Sequence, residues 1–329
     1  MDLAVNIEDI KQASQRLAGI VVKTPLLSSA ALDERLDANI YIKPECLQHI
    51  GAFKFRGAYN RLCQLTEAEK ALGVVAFSSG NHAQGVAYAA RLLGMEATIV
   101  MPSDAPSIKK EGTEGLGAKI RFYDRDTESR EQIAADIAEQ TGAILVPAFD
   151  DVHVIAGQGT CGLEIMQQLA EAEVTPAAVL SPCGGGGLLA GVSTAVKAFD
   201  ENIDVYGVEP QHYDDSLLSK QAGKRIRIDP QSKTACDALM ATIPGEITWS
   251  INSQTVSDFL VVSEDEVAHA ISFAFRYLKL VVEPGGAVAL AALLNHKLDV
   301  AKQSVAIILS GGNIDHESHA KCLAKYPSP

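Results

Sequence analysis

The stretch GVVAFSSGNHAQGVAYAARLLG, residues 73–94, decides the fold. Its first part, GVVAFSS (73–79), is a short β-branched run of the length of a buried strand. A glycine-containing turn follows. AQGVAYAARLLG (83–94) then carries apolar residues at helical spacing and ends on a glycine, a helix with its stop signal. The same order recurs downstream. EATIVMP (96–102), KIRFYD (119–124) and AILVPAF (143–149) read as strands, and APSIKKEGTEGLG (105–117) and SREQIAADIAEQTG (129–142) as the helices between them. Strands alternating with helices predict an α/β protein whose parallel sheet is joined by crossover helices.

The rhythm resumes beyond residue 150. TCGLEIMQQLAEA (160–172) and GLLAGVSTAVKAF (187–199) read as helices; AAVLSPC (177–183), DVYGVEP (204–210) and SVAIILS (304–310) read as strands. Residues 211–260 are more polar and weakly periodic, and read as a surface excursion. EDEVAHAISFAFRYLKL (264–280) reads as a helix with acidic residues in its first turn, where the helix dipole favours them. No internal repeat or low-complexity linker interrupts the chain. About 15 residues follow the last motif, too few for an appended regulatory domain by the usual size of domains.

The balance of 28 Lys+Arg against 41 Asp+Glu argues against a nucleic-acid or anionic-membrane binder, both of which need a basic face. A local basic pocket for a small anion is compatible with it. The N-terminal MDLAVNIEDIKQASQRLAGI lacks the basic and apolar regions of a signal peptide, and no apolar run is long enough to span a membrane. The six cysteines are scattered without CxxC spacing, as expected of reduced cytoplasmic cysteines rather than a zinc site.

Three glycine clusters fall at the carboxyl ends of expected strands, where open α/β sheets bind ligands. They are SSGNHAQG (78–85), SPCGGGGLLAG (181–191) and LSGGNID (309–315). Four glycines before a helix permit either a tight strand–helix turn or a cradle of backbone N–H groups for a phosphate. No Gly-Lys-Ser/Thr follows them, so this is not a Walker loop. A second oddity lies upstream, in GAFKFRGAYN (51–60), where Lys54 stands between Phe53 and Phe55. Such a lysine either snorkels to water along the aromatic faces or is held among apolar groups. In the second case its pKa falls and its amine becomes a nucleophile for carbonyls. A reactive lysine together with a phosphate cradle is what pyridoxal phosphate requires.

GAFKFRGA, SSGNHAQG, AGQGT (156–160), CGGGGLLAG, VEPGGAVALAAL (282–293) and LSGGN lie in an order and spacing that resembles pyridoxal-phosphate enzymes of the tryptophan-synthase-like fold, fold type II. Within that fold the chain resembles the threonine/serine dehydratases and serine racemases, and the resemblance covers about residues 5–316. It implies a large cofactor-binding domain (1–66 and 150–329) and a small mobile domain (67–149), with the cofactor in the cleft between two open, mostly parallel sheets. It implies that Lys54 condenses with the cofactor and acts as a base, that Phe53 packs on the cofactor and that Asn81 bonds its ring hydroxyl. Gly184, Gly185, Gly186 and Gly187 would hold its phosphate and Ser310 would contact its pyridine nitrogen. The substrate carboxylate is expected at Ser78, Ser79, Asn81 and His82, and Ser79 is the candidate second base on the opposite face. GVEPQHYDD (207–215) resembles the divalent-cation site of the racemase-like group, with Glu209, Tyr213 through its carbonyl, and Asp215 as ligands for Mg²⁺ or Ca²⁺, less so Mn²⁺.

One departure stands out. Where racemases of this group are expected to offer an arginine, REQIAADIA (130–138) offers Asp136. That counts against racemisation as the main activity and against a dicarboxylic substrate. The resulting expectation is an ammonia-lyase acting on L-threonine or L-serine, a homodimer in the cytoplasm. The alternatives are a serine racemase with dehydratase side activity, a 3-hydroxyaspartate dehydratase, or a non-catalytic small-molecule binding protein, against which Lys54 argues.

Overall fold

A computed structural model of the chain describes residues 3–78, 80–105 and 107–328. Among these residues nine strands form two sheets, and every strand pairing within the sheets is parallel. The strands are β1 (Asn39–Pro44), β2 (Val74–Phe77), β3 (Ala97–Pro102), β4 (Lys119–Tyr123), β5 (Ile144–Leu145), β6 (Ala178–Pro182), β7 (Asp204–Pro210), β8 (Asp258–Val262) and β9 (Ser304–Leu309). The larger sheet runs β1-β9-β6-β7-β8 and the smaller one β4-β3-β2-β5. All four strands of the smaller sheet come from one continuous stretch of chain.

Parallel sheets bury both faces, and the side chains of these strands divide accordingly. In β9, Val305, Ile307 and Leu309 join a core with the helix Pro284–Leu294, whose apolar residues surround it on all sides. Ala306 and Ile308 point the other way, into a core with the helices Val152–Glu171 and Gly187–Phe199. In the smaller sheet, Val74, Ala76, Ile99 and Met101 pack on the helix Asn81–Leu92, while Val75 and Val100 face Ala134 of the helix Arg130–Thr141.

The structure differs from the sequence reading in four places. The expected surface excursion at 211–260 contains two helices (Asp215–Ala222 and Glu246–Thr255) and β8, which extends the larger sheet by pairing with β7. β1, NIYIKP, also belongs to that sheet, and the buried lysine inside it masks its strand character. The helix expected at 160–172 starts at Val152, capped by Asp151, whose carboxylate accepts from the His153 and Val154 N–H groups. The helix begun at Glu264 loses α geometry after Phe273, passes through a π turn at Ala274–Leu278 and ends on a left-handed Lys279.

The helix Lys54–Leu62 is held by a buried charge network. Arg56 donates from Nε and Nη2 to Glu45 at 2.7 and 2.8 Å, and from Nη1 to Glu164 at 2.7 Å. Lys43 of β1 reaches the other oxygen of Glu164 at 2.7 Å, and the Thr24 hydroxyl donates to Glu45 at 2.7 Å. Arg56, Lys43 and Glu45 are fully buried, so two cations and two carboxylates balance one another away from water. Burial alone pushes Glu45 up, yet the Arg56 guanidinium against it, with Lys43 and Thr24, holds its carboxyl below the ordinary value. The same helix approaches the helix Val152–Glu171 closely. A Cβ on Gly57 would lie 2.5 Å from Gln158 Nε2 and 2.8 Å from the Val154 carbonyl.

Glu45→Ala leaves the network one positive charge in excess. Unfolding in denaturant is expected to show a loss of about 3–5 kcal/mol at neutral pH. The contribution of Glu45 is complete above the unfolded carboxyl value and is lost as pH falls through the depressed folded one, so wild type and variant converge in acid. A loss below about 1 kcal/mol at pH 7 would show that the network is not held together by charge compensation.

Candidate active site

The carboxyl ends of β2, β6 and β9 open onto one cavity, and the sequence candidates meet there. Lys54 is the first residue of its helix. Its Nζ donates to the Ala148 carbonyl at 2.8 Å and lies 5.2 Å from the centre of the Phe53 ring. Burial of the amine lowers its pKa to about 8, while part of the side chain stays open to the cavity. Phe53 follows Ala52, which bridges to Gly311, and the Phe53 N–H donates to the Ser310 carbonyl at 3.1 Å. This ties the lysine to the end of β9, and the buried Ser310 lines the cavity beside it.

The glycine loop between β6 and the helix Gly187–Phe199 forms another wall. Gly186 has φ +90°, and a Cβ there would sit 2.7 Å from Asn252 Nδ2. Thr248 donates to the Gly185 carbonyl at 2.7 Å and Asn252 to the Gly186 carbonyl at 3.2 Å. The helix Glu246–Thr255 thereby occupies the loop carbonyls. The N–H groups of Gly184, Gly185, Gly186 and Gly187 meet no acceptor among the described residues. Unpaired donors at a helix N-terminus fit a phosphate group, and the Lys54 amine in the same cavity fits its aldehyde partner. The residues present therefore fit pyridoxal phosphate.

Asn81, Ser78 and His82 also line the cavity, at the start of the helix Asn81–Leu92. Asn81 is fixed from both ends: its Nδ2 donates to Glu283, and its Oδ1 accepts from Asn313 Nδ2 at 2.8 Å. The Ser78 hydroxyl accepts from the Gly80 N–H at 3.1 Å. His82 Nε2 donates to the Val146 carbonyl at 3.0 Å; burial, with Lys54 nearby, pushes its imidazole down to about 3, so it is neutral at any physiological pH. Ser79 lies outside the described residues.

Several cavity residues were not singled out from the sequence. Lys109, buried, bonds Asp237 at 2.5 Å and approaches Glu283 at 3.6 Å. It joins the segment carrying the smaller sheet to that carrying the larger. Burial pushes Glu283 up to about 7 against the pull of Lys109. Phe149 packs behind the glycine loop, and Arg130 stands on the wall beside Phe77. Asp136, the residue read in place of an arginine, bonds Gln132 Nε2 at 2.7 Å and is not among the cavity residues. The local signal for Glu283 was its place before Pro-Gly-Gly; Lys109 and Arg130 carry no such signal.

The expected cation ligands lie apart from this cavity, Glu209 near the end of β7 and Asp215 at the start of the helix that follows it. Glu209 and Asp215 are both fully buried. Glu209 accepts from the Ser216 and Leu217 N–H groups, each at 2.9 Å, but neither oxygen of Asp215 has a hydrogen-bond partner among the described residues. Burial, aided by Asp214, pushes Asp215 up to about 8, and burial with Asp215 nearby raises Glu209 well above a usual carboxylate. Tyr213 is buried beside them in sequence. Among the described residues no group of three or more His, Cys, Asp and Glu gathers as a metal site.

Residues 17–311 match the family described as pyridoxal-phosphate dependent enzyme. The chain is 44% identical to L-threo-3-hydroxyaspartate ammonia-lyase of a Pseudomonas species, over 96% of this chain and 97% of that protein. It is also 44% identical to L-threonine ammonia-lyase of Thermotoga maritima, over 94% of this chain and 76% of that protein. The solved structure of maize serine racemase superposes with a TM-score of 0.91 at 38% identity, covering 98% of each chain.

The Lys54 amine is a nucleophile only when neutral, and its depressed pKa places that change near 8 rather than near 10.5. The rate at which the cofactor-free protein takes up pyridoxal phosphate, followed by absorbance, is expected to rise with pH through a midpoint of about 8. A midpoint at the ordinary lysine value would contradict the enclosed amine.

Proposed function

This chain belongs to the pyridoxal-phosphate dependent enzymes, and on that premise we propose that it is an ammonia-lyase converting L-threonine or L-serine to a 2-oxo acid and ammonia. One observation carries the reading: the shielded Lys54 amine shares a cavity with four unpaired N–H groups at a helix start. The names of the similar proteins, L-threonine ammonia-lyase among them, support it. The two sheets would form a large domain and a small mobile one at 67–149, closing over substrate.

When bound, pyridoxal phosphate supplies an aldehyde that condenses with amines and a conjugated ring that draws electrons from the substrate α-carbon. Gly184, Gly185, Gly186 and Gly187 would hold its phosphate through their N–H groups, Phe53 would pack on its ring and Asn81 would bond its ring hydroxyl. Ser310 would offer its pyridine nitrogen a hydroxyl, which cannot keep a proton there as a carboxylate would; such a setting would favour prompt loss of a β-hydroxyl. The backbone donors around Ser78, Asn81 and His82 hold the substrate α-carboxylate at a helix N-terminus. Lys54 Nζ takes the proton from the α-carbon. Neutral His82 adds no charge to this step and fixes the loop to Val146.

Racemisation is the second reading, favoured by the likeness to maize serine racemase. In it Ser79 returns a proton to the face opposite Lys54. No helix among the described residues is long and apolar enough to cross a membrane. All six cysteines are unpaired, which supports a cytoplasmic setting, and the exposed Phe275, Tyr277 and Val281 support a homodimer.

Purified protein is expected to show a visible absorbance band that borohydride bleaches and Lys54→Ala abolishes. Lys54→Ala is also expected to lower 2-oxo acid formation by roughly 10²–10⁴ or more. A band that survives the substitution would remove Lys54 as the anchoring amine. D-serine formed from L-serine by wild type but not by Ser79→Ala would establish the second reading.

Glu209, Asp215 and the Tyr213 carbonyl form a hard-oxygen site for Mg²⁺ or Ca²⁺. The two unpaired oxygens of Asp215 beside a second buried acid support it. Mg²⁺ or Ca²⁺ added to chelator-treated protein is expected to raise its melting temperature, and Asp215→Asn to remove that rise. An equal rise in the variant would place the cation elsewhere.

A further inference from the structure

Residues 146–151 lead the chain out of the smaller sheet and touch three parts of the site. The Val146 carbonyl accepts from His82 and the Ala148 carbonyl from Lys54. Phe149 fills the space behind the glycine loop: a Cβ on Gly185 would lie 2.5 Å from its ring, and one on Gly187 3.0 Å from its carbonyl oxygen. Asp151 caps the helix Val152–Glu171. The residue between them, Asp150, does not line the cavity, and the elimination chemistry does not use it.

The Asp150 carboxylate takes the first three N–H groups of the helix Glu246–Thr255. Oδ2 accepts from Glu246 at 2.9 Å, and Oδ1 from Ile247 at 2.8 Å and Thr248 at 3.2 Å. A helix is ordinarily capped by the residue that precedes it. Here that residue is Gly245, which has no side chain to offer, and a Cβ on it would collide with the Asp150 carboxylate. The helix takes its cap instead from 96 residues away. A cap serving the helix alone needs no such reach. What the distant carboxylate adds is a fixed separation between this helix and Phe149, and the glycine loop touches both.

On the helix side the contacts fall on the loop carbonyls. Thr248 Oγ1 donates to the Gly185 oxygen at 2.7 Å, the Gly245 N–H donates to the same oxygen at 3.4 Å, and Asn252 donates to the Gly186 oxygen at 3.2 Å. A trans peptide is planar, so a carbonyl fixed toward the helix directs the N–H of the next residue away from it. The Gly185 and Gly186 carbonyls thereby orient the N–H groups of Gly186 and Gly187. We propose that Asp150 is a positioning residue for cofactor retention: it holds the first turn of the helix Glu246–Thr255 against the glycine loop and so fixes the N–H groups that receive the phosphate. The inference rests on the reading that this loop holds the cofactor phosphate, and adds a residue outside the cavity on which that grip depends.

The test titrates protein stripped of cofactor, by absorbance, with pyridoxal phosphate and with pyridoxal, which keeps the aldehyde and lacks the phosphate. The ratio of the two dissociation constants reports the grip on the phosphate alone. It does not depend on the fraction of protein that is folded, because both ligands sample the same population. Wild type is expected to prefer pyridoxal phosphate. The ratio is expected to fall about 10-fold in Asp150→Ala, and less in Asp150→Asn, which keeps an acceptor oxygen. It is also expected to fall in Thr248→Val, which removes the bond to Gly185 and leaves the cap in place. Asn6→Ala removes a comparable cap, on two N–H groups of the helix Ile7–Leu17 away from the cavity, and is expected to leave the ratio unchanged. An unchanged ratio in Asp150→Ala or in Thr248→Val overturns the inference. So does an equal fall in Asn6→Ala, which would make the effect one of general stability. A wild type that binds both ligands alike overturns the reading of the glycine loop as a phosphate cradle, and the inference with it.

Discussion

Arg56 is the point on which the arrangement of the site depends. It lies two residues after Lys54 on the same helix, fully buried, with its guanidinium shared between Glu45 and Glu164. A buried guanidinium tolerates little displacement, because any carboxylate it leaves behind is stranded without water. Glu45 follows β1 directly, Glu164 sits on the helix Val152–Glu171, and Lys43 within β1 closes the circuit. The network therefore joins an edge strand, a long helix and the helix that starts at Lys54. That helix start faces the cavity because its first turn is held in place by charge.

The second constraint is the direction of the strands. In parallel sheets every strand presents its carboxyl end to the same edge, and each following helix begins there. The loops after β2, β6 and β9 supply Asn81, the four glycines and Ser310 from positions more than 200 residues apart in sequence. Strand direction places these loops together. Side-chain bonds then orient them: Thr248 and Asn252 hold the glycine carbonyls, and Glu283 and Asn313 hold Asn81. The donors that face the cavity are those the rest of the structure leaves unpaired.

Elements with strong local patterns were legible in the sequence. The run GVVAFSS followed by a helical segment, and SVAIILS near the end, read correctly as strands because uniformly apolar β-branched runs admit few other structures. β1 and β8 were harder. NIYIKP contains a lysine whose charge is answered by a glutamate 121 residues away, and DFLVV lies at the sheet edge in a polar region. Both are strands because a neighbour needed a partner, a condition no local window contains. The site divided in the same way. Lys54 and the glycines stood out through unusual company in the chain. Lys109 and Arg130 did not, since a charged residue on a helix is ordinarily a solvated one, and only the packing of the cavity wall places them there.

The sequence by itself determined the α/β class and the alternation of parallel strands and crossover helices at 73–149, and it singled out a lysine flanked by aromatic residues and a run of four glycines before a helix. Each of these follows from the chemistry of neighbouring residues: side-chain periodicity, missing Cβ atoms, or apolar flanks around an amine. Only the tertiary structure decided which charges reach the cavity. Asp136 turned out to bond along its own helix, and Arg130, six residues earlier, to stand over Phe77 at the cavity wall. The reason is geometric. Residues six apart on a helix project from it in directions far enough apart that one can line the cleft and the other not, and which does so depends on how the helix Arg130–Thr141 lies on β2 and β3.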